Sequence, residues 1–292
     1  MPELPEVEVL VRHLAPRLRH RMICAVSVRR RKVLASTPAP DFKRTLRGAT
    51  FLGLRRRGKY LLFDLRGKTG APLTLLGHLG MTGRMYFAPA KTRLPKHAAV
   101  VLNLGRENFI YEDTRYFGRL TLDVSSLAGL GPEPWAKEFT VEHFAAALKK
   151  SSQPVKVKLL DQSVVAGVGN IYASEALYRA GISPRLAARR LKPPQVARLL
   201  QTIRQTLADA IKRGSTIPLN YGGVGTRDGL FYFGRLPGAP DFYAERLHVY
   251  DRAGQPCRKC KTLIKRLVQA ARSTFYCPQC QRGGTSATGR LA

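Results

Sequence analysis

Four of the five cysteines in this 292-residue chain stand near its C-terminus as two Cys-x2-Cys pairs. Cys257 and Cys260 form the first pair, Cys277 and Cys280 form the second, and sixteen residues separate the pairs. Two tight turns that each present two thiolates can close a tetrahedron around one Zn²⁺. Because four protein ligands leave no open position, the spacing predicts one structural zinc ion; four buried cysteines without a metal are the alternative. The fifth, Cys24, lies in an apolar stretch and is expected to be a buried small side chain.

The N-terminus offers a second kind of chemistry, because removal of Met1 would leave Pro2 with a free secondary amine. The reference pKa of an α-amine is about 7.7–8.0, so a good fraction is unprotonated near neutral pH. Such an amine can attack an electrophilic carbon and form an iminium. Glu3 adjoins the amine and could move protons, while Glu6 suits the first turn of a helix. Taken by themselves, these residues are better explained by ordinary processing and helix capping.

The charge of the chain points to a polyanionic partner. Lysine and arginine total 50 against 19 aspartate and glutamate residues, which gives a formal net charge of +31. Nucleic acid is the leading partner, because Lys and Arg displace the counterions condensed on phosphates. A generally basic, solvated surface is the alternative. A membrane partner is not expected, since no apolar run is long enough to span a bilayer and the acidic start MPELPEVE is unlike a secretory leader.

The elements that must hold these groups differ between the two halves of the chain. A stripe of Val7, Leu10, Val11, Leu14 and Leu18 predicts a helix from Pro5 to about Leu18. Short alternating or β-branched runs then recur from residue 22 to residue 122, which predicts an antiparallel sandwich or barrel.

A Ser-, Gly- and Pro-rich stretch at residues 125–134 indicates a domain boundary. Three helical patterns follow it: VEHFAAALKK, YASEALYRAG and PQVARLLQTIRQTLADAIKRG. Between the cysteine pairs, KTLIKRLVQAARSTFYC has the pattern of a basic β-hairpin suited to reaching into a nucleic-acid groove.

Six motifs, in order along nearly the whole chain, carry a resemblance to a known family. They are MPELPEVE, RGKYLLFDL, GHLGMTGRM, EDTRYFG, DQSVVAGVGNIYASEAL and STFYCPQCQ. The sequence resembles the formamidopyrimidine-DNA glycosylases. The resemblance implies an α+β multi-domain fold with an N-terminal helix on an antiparallel β-sandwich, a helical domain with a helix–two-turn–helix motif, and a C-terminal β-hairpin zinc finger.

The same resemblance implies roles for individual residues. Pro2 would be the nucleophile, and Glu3 would be the general acid/base. Lys59, in RRRGKYLLF, would also take part in catalysis at the phosphate beside the lesion. Proton donors would be Glu3, Lys59 and Arg272; DNA-binding residues would be His78, Arg115, Lys156, Asn170 and Arg272; and the residues intercalating where the damaged base is extruded would be Met81, Arg115 and Phe117.

The sequence departs from the family pattern in two places. EDTRYFG has Thr114 and Tyr116 where a proline and a second arginine are expected, although Arg115 and Phe117 remain. The Gly-rich, aromatic stretch at residues 214–243 corresponds to the lesion-recognition loop but is longer and more aromatic than expected. Thr216 is the one lesion-contacting residue predicted within it, and the base preference of this chain could therefore differ.

The resemblance implies a base-excision repair enzyme of the bacterial cytoplasm or nucleoid. As a monomer it would remove 8-oxoguanine and formamidopyrimidines from double-stranded DNA through a Pro2 Schiff base, and cleave the abasic strand by β,δ-elimination. An endonuclease VIII-like glycosylase for oxidised pyrimidines and a non-catalytic DNA-binding zinc protein are the alternatives. The predicted domains are a catalytic β-sandwich (1–124), a linker (125–136), a helical domain with the lesion-recognition loop (137–246), a zinc finger (247–281) and a tail (282–292).

Overall fold

The computed structural model describes residues 2–213 and 247–282. Its described residues divide into two compact units: the first contains residues 2–129 and Arg213, and the second contains Leu130–Lys212 and residues 247–282. Thr216 lies outside the described residues. Within the described ranges, no helix is long and apolar enough to cross a membrane.

The first unit is built on two four-stranded antiparallel sheets and two helices. The helices are α1 (Leu4–Leu18) and α2 (Ala39–Leu46). The strands are β1 (Ala25–Val28), β2 (Thr50–Arg57), β3 (Tyr60–Arg66), β4 (Pro72–His78), β5 (Gly83–Pro89), β6 (Ala98–Asn103), β7 (Glu107–Asp113) and β8 (Arg119–Thr121). One sheet has the strand order β1-β6-β7-β5 and the other has the order β2-β3-β4-β8.

One apolar core joins the helices and both sheets of this unit. The rings of Phe63 on β3 and Phe109 on β7 meet edge to face with their centroids 5.8 Å apart, so the two sheets pack on each other. Val7, Leu10 and Leu14 of α1 are buried in the same cluster. The structure therefore confirms the predicted helix on an antiparallel sandwich, with the helix beginning at Leu4, one residue before the predicted start.

The second unit is helical and ends in a two-stranded hairpin. Gln162 fixes the turns between Leu159 and Asn170: its Nε2 donates to the carbonyl of Val168 (2.9 Å), and its Oε1 accepts from the N–H of Gly167 (2.9 Å). The elements are α3 (Val141–Lys149), α4 (Val155–Leu159), α5 (Asn170–Ala180), α6 (Pro193–Lys212), β9 (Lys265–Gln269) and β10 (Arg272–Tyr276). The hairpin between the cysteine pairs has the predicted form, with β9 and β10 antiparallel.

Candidate functional site

The start of the chain is fixed in one geometry at the N-terminus of α1. Glu3 is the N-cap residue, and it forms a reciprocal capping box with Glu6. The N–H of Glu3 donates to Glu6 Oε2 at 2.8 Å, and the Glu3 side chain accepts from the backbone of Glu6. Pro2 is buried, and the side chains of Glu3 and Glu6 are each only 2% exposed. The capping box therefore fixes the backbone at Glu3, directly after Pro2, where a fraying terminus would be the usual outcome.

Arg56 links this helix to the turn that carries Lys59. Its Nε donates to Glu8 Oε2 at 2.9 Å, and its Nη1 donates to the carbonyl of Gly58 at 3.2 Å. Glu8 also accepts from Arg12, one helical turn further along α1. Lys59 follows Gly58 in the turn between β2 and β3 and is only 7% exposed. The predicted catalytic residues Pro2, Glu3 and Lys59 thus belong to one unit in which α1 packs against β2 and β3.

His78 ends β4 opposite Tyr60, with the two rings 4.9 Å apart. Burial, followed by the positive charges of Lys59 and Arg119, lowers the pKa of His78 to about 4. The N–H of Gly80 donates to Nδ1 at 3.2 Å, so the neutral ring carries its proton on Nε2. The histidine is therefore a neutral N–H donor near neutral pH, which suits a contact with a phosphate oxygen.

The three residues predicted to intercalate meet in one exposed cluster, here called the wedge cluster. Met81 is 42% exposed and Phe117 is 53% exposed, which is unusual for side chains of this size and polarity. Arg115 connects them, with Nη1 3.4 Å from the sulfur of Met81 and the guanidinium carbon 4.8 Å from the centre of the Phe117 ring. Lys32 Nζ lies 5.8 Å from the same ring. The cluster presents an apolar surface beside two cations.

In the second unit, Asn170 occupies the first position of α5 and contacts the zinc-finger hairpin. Its Nδ2 donates to the carbonyl of Ser273 at 2.9 Å, while Arg272, the residue before, is exposed at the start of β10. Lys156 is fully buried, and its Nζ donates to Asn170 Oδ1. The structure thus brings Lys156, Asn170 and Arg272 to one place, at a helix N-terminus whose dipole favours an anion.

The four paired cysteines form one cluster whose sulfur atoms all lie within 4.8 Å of one another. The sulfurs of Cys260 and Cys277 are 3.4 Å apart, and those of Cys257 and Cys280 are 3.9 Å apart. Tetrahedral coordination with Zn–S bonds of about 2.3 Å places sulfurs about 3.8 Å apart, so the donor set fits one structural zinc ion. The hydroxyl of Tyr178 lies 3.3 Å from the sulfur of Cys257 and supports that ligand.

Family models and curated relatives identify the same family along nearly the whole chain. The family model for the formamidopyrimidine-DNA glycosylase N-terminal domain matches residues 1–120, and that for the H2TH domain of the same glycosylase matches residues 130–220. A zinc finger found in FPG and IleRS matches residues 254–283. The formamidopyrimidine-DNA glycosylases of Thiobacillus denitrificans and Paracoccus denitrificans are each 41% identical to this chain, covering 97% of it and 100% of themselves. This chain belongs to the formamidopyrimidine-DNA glycosylase family.

Solved structures of a glycosylase of this family share the fold. The Lactococcus lactis enzyme in complex with Fapy-dG containing DNA has a TM-score of 0.82 and 31% identity, covering 96% of this chain and 100% of that one. Its complex with abasic-site DNA has a TM-score of 0.83 and 30% identity, covering 96% and 99%. A third structure holds oxidised-pyrimidine DNA, with a TM-score of 0.83, 31% identity, and 96% and 100% coverage. The predicted family, fold and structural zinc are confirmed.

Sequence reasoning missed a buried carboxylate within a motif of this glycosylase family. Glu175, in GVGNIYASE, is fully buried on α5 and accepts hydrogen bonds from His248, Val249 and Tyr250. Burial alone would raise the pKa of Glu175, but those bonds lower it below its usual value. His248 contacts Glu175 from a segment outside the strands. A glutamate inside a predicted helix was the available signal in the sequence, but the residues that bond to it lie more than seventy positions away.

The expectation for Cys24 is wrong, because its side chain is exposed. Cys24 precedes β1, whose residues alternate between exposed and half-buried positions, so an apolar neighbourhood in the sequence did not place this thiol in the core. Its neighbour Ile23 is fully buried and occupies the core position instead.

Proposed function

We propose that this chain is a base-excision repair DNA glycosylase that removes oxidised purines from duplex DNA and then cleaves the abasic strand. The observation that carries the proposal is the buried Pro2–Glu3 start, locked by the capping box at the head of α1. Removal of Met1 converts the Pro2 nitrogen into a secondary amine held at the positive end of a helix dipole. That end disfavours the protonated amine and leaves a nucleophile at neutral pH.

The reaction begins with attack of the Pro2 nitrogen on C1′ of the damaged nucleotide. The N–C1′ bond forms as the glycosidic bond breaks, and the base leaves with a proton from an acid such as Glu3. Glu3 then takes the proton from the attached nitrogen and passes it to the ring oxygen O4′, so that the C1′–O4′ bond breaks and an iminium forms, which acidifies the hydrogens on C2′. Loss of a C2′ proton then expels the 3′-phosphate, and a second elimination expels the 5′-phosphate. Hydrolysis of the remaining iminium returns the Pro2 amine.

Phosphate binding is divided among residues of both units. In the first unit, Lys59 and the Nε2–H of His78 bind the phosphates beside the lesion. In the second unit, Arg272 and Asn170, at the start of α5, bind the DNA backbone. Lys156 holds the side-chain amide of Asn170, and its positive charge balances the negative charge of the bound phosphate. The formal charge of +31 attracts the duplex at long range. The wedge cluster fills the space that the extruded base leaves.

Borohydride trapping tests the nucleophile. With the processed N-terminus verified by mass spectrometry, we expect borohydride to reduce the iminium and to yield a covalent adduct with 8-oxoguanine duplex. Glu3→Gln separates the two steps: it should lose base excision while still forming the adduct on a duplex with a ready-made abasic site. No adduct on either duplex with the processed parent would exclude the Pro2 mechanism, and a Pro2→Gly variant that cuts as well as the parent would reassign the nucleophile.

Oxidised pyrimidines are a second candidate substrate class, because the Lactococcus lactis enzyme has been solved with oxidised-pyrimidine DNA. Single-turnover excision of 8-oxoguanine and of thymine glycol from otherwise identical duplexes decides between the two classes. Binding to both duplexes without excision of either base would support a non-catalytic DNA-binding protein.

The organisation of the chain forms part of the same proposal. The proposed domains are residues 1–124, 125–136, 137–246 and 247–281, followed by a tail at 282–292. Thr216 is the residue proposed to contact the lesion. The enzyme is proposed to work as a monomer in the bacterial cytoplasm or nucleoid. Limited proteolysis with mass spectrometry tests the boundaries, because cleavage should concentrate at residues 125–136.

A further inference from the structure

The wedge cluster is carried by two loops that the strand topology places side by side. Residues 79–82 connect β4 to β5, and residues 114–118 connect β7 to β8. The partner strands are in register at both ends of these loops, with Gly83 opposite Asp113 and His78 opposite Arg119. Both loops therefore cross between the two sheets at the same end of the sandwich. We call them the wedge loops.

The wedge loops touch through their backbones at two glycines. A Cβ on Gly80, whose φ is +59°, would lie 2.5 Å from the nitrogen of Gly118. A Cβ on Gly118 would lie 2.0 Å from the Tyr111 hydroxyl oxygen. Side chains cannot fill these positions, so the loops approach more closely than any pair of side chains would allow. Close contact alone does not fix their register, and a polar group is needed for that.

One carboxylate supplies that polar group. Asp113 ends β7 and is fully buried. Its Oδ1 accepts from the Thr82 hydroxyl at 2.5 Å and from the N–H of Arg115 at 3.2 Å. Its Oδ2 accepts from the N–H of Gly118 at 2.8 Å. The Thr82 oxygen in turn accepts from the N–H of Arg115 at 3.2 Å, so both loops share one hydrogen-bond network.

Each bond in this network acts next to a wedge residue. Thr82 follows Met81, and Gly118 follows Phe117, while the N–H that reaches Asp113 and Thr82 is that of Arg115 itself. We propose that Asp113, acting with Thr82, is a positioning residue that fixes Met81, Arg115 and Phe117 in the arrangement needed to fill the space left by an extruded base. This inference rests on the proposed function. Asp113 touches no reacting atom.

The chemistry of the site explains why a carboxylate is required. The two oxygens of Asp113 accept from two backbone N–H groups and two hydroxyls, that of Thr82 and, at 3.5 Å, that of Tyr111. A carboxylate has lone pairs in all these directions. In Asp113→Asn, an NH₂ group replaces one of those oxygens and faces an N–H donor. Thr82→Val removes the hydroxyl but keeps the shape of the side chain, and Thr82→Ser restores the hydroxyl alone.

The experiment compares two substrates under single-turnover conditions. One duplex contains 8-oxoguanine opposite cytosine, whose excision requires extrusion of a stacked base; the other contains an abasic site, where no base must be extruded. We expect Asp113→Asn and Thr82→Val to slow excision on the first duplex by about 10–100-fold, because misplacement by about 1 Å costs up to 10²-fold. Cleavage of the abasic duplex should change much less, and Thr82→Ser should recover excision.

A matched variant controls for a general loss of stability. Thr37 also has a half-buried hydroxyl that bonds one side chain, Thr121 at 2.7 Å, and one backbone N–H, that of Leu122 at 3.2 Å. Both partners lie outside the wedge loops. Thr37→Val should therefore leave the ratio of the two rates at the parent value. Since Thr82 is only partly buried, Thr82→Val is expected to fold even if Asp113→Asn does not.

Fluorescence of 2-aminopurine placed beside the lesion reports directly on whether the wedge cluster enters the base stack. It should rise on binding of the parent and of Thr82→Ser, and remain low with Thr82→Val. Thr82→Val behaving like Thr37→Val in both the rate ratio and the fluorescence would overturn the inference. Failure of the parent itself to excise 8-oxoguanine would instead count against the proposed function.

Discussion

Each unit contains a fully buried carboxylate that ties separate chain segments together, and the two differ in what they hold. Asp113 joins two short loops whose exposed side chains form the wedge cluster. Glu175 joins α5 to residues 248–250, a segment that leads into the zinc finger and whose Val249 is fully buried. The first carboxylate therefore sets the geometry of a surface, and the second sets the attachment of a folded module.

Because of this difference, we expect substitutions in the two networks to change different measured quantities. Loss of the Asp113 network should change what happens to a stacked base after DNA binds. Loss of the Glu175 network should change the stability of the second unit, its retention of zinc and its affinity for DNA.

The largest effect is expected from Glu175→Gln. The amide cannot accept from every donor that now points at the carboxylate, so buried N–H groups lose their partner. The free energy of unfolding of the second unit should fall by about 3 kcal/mol. Chemical denaturation followed by the fluorescence of Trp135 measures the loss, since this is the sole tryptophan of the chain and lies in the second unit.

A zinc-release assay and hydrogen exchange complete this test. Zinc should transfer to a chelator faster from Glu175→Gln than from the parent, while exchange at the Gly118 N–H stays unchanged. Glu138→Gln is the matched control, because Glu138 is exposed in the same unit and its loss should cost less than about 0.5 kcal/mol. Equal zinc release from all three proteins would show that Glu175 does not hold the zinc finger.

These two carboxylates also show which features of the structure the sequence could not predict. The helix of residues 4–18, the sandwich and the zinc ligands follow from periodicity and from local spacing, and the structure confirms them. The wedge residues needed the family resemblance, since Met81 and Phe117 taken singly would be predicted to lie in the core. Asp113 and Glu175 were missed because their partners come from distant segments: Thr82 is 31 residues away and His248 is 73 residues away.

A smaller effect is expected from the pH dependence of His78, which ends β4 at the base of a wedge loop. The pKa of His78 is lowered to about 4 by burial and by the charges of Lys59 and Arg119, so folding favours its neutral form. The unfolded chain binds the proton near pH 6.5, so the stabilisation is fully present above that pH and is lost as the pH falls toward about 4.

His78→Asn isolates this contribution, because the amide oxygen can still accept from the N–H of Gly80. Between pH 7.5 and 4.5 the parent should lose about 1–2 kcal/mol more unfolding free energy than the variant, a value reduced from the full pKa shift for partial exposure. Denaturant titrations at both pH values, without DNA, measure the difference. Parallel losses in the two proteins would mean that His78 titrates normally in the folded state.

The smallest effect concerns Tyr116, one of the two positions where EDTRYFG departs from the family pattern. Its φ is +53°, and its hydroxyl accepts from Arg30 Nε at 3.0 Å and lies 3.2 Å from His97 Nδ1. The guanidinium of Arg30 also lies 5.5 Å from the centre of the ring. Tyr116 thus ties the wedge loop of residues 114–118 to Arg30 and His97, in addition to the bonds that Asp113 makes to the same loop.

Tyr116→Phe should remove the hydroxyl bonds and keep the ring contact. The expected loss is about 0.5–1 kcal/mol of stability, with a roughly two- to fivefold decrease in excision of paired 8-oxoguanine and little change on abasic DNA. A double-mutant cycle with Arg30→Met measures the coupling between the two side chains. If the two losses simply add, the outer contact is incidental, and Asp113 and Thr82 alone determine the position of the wedge.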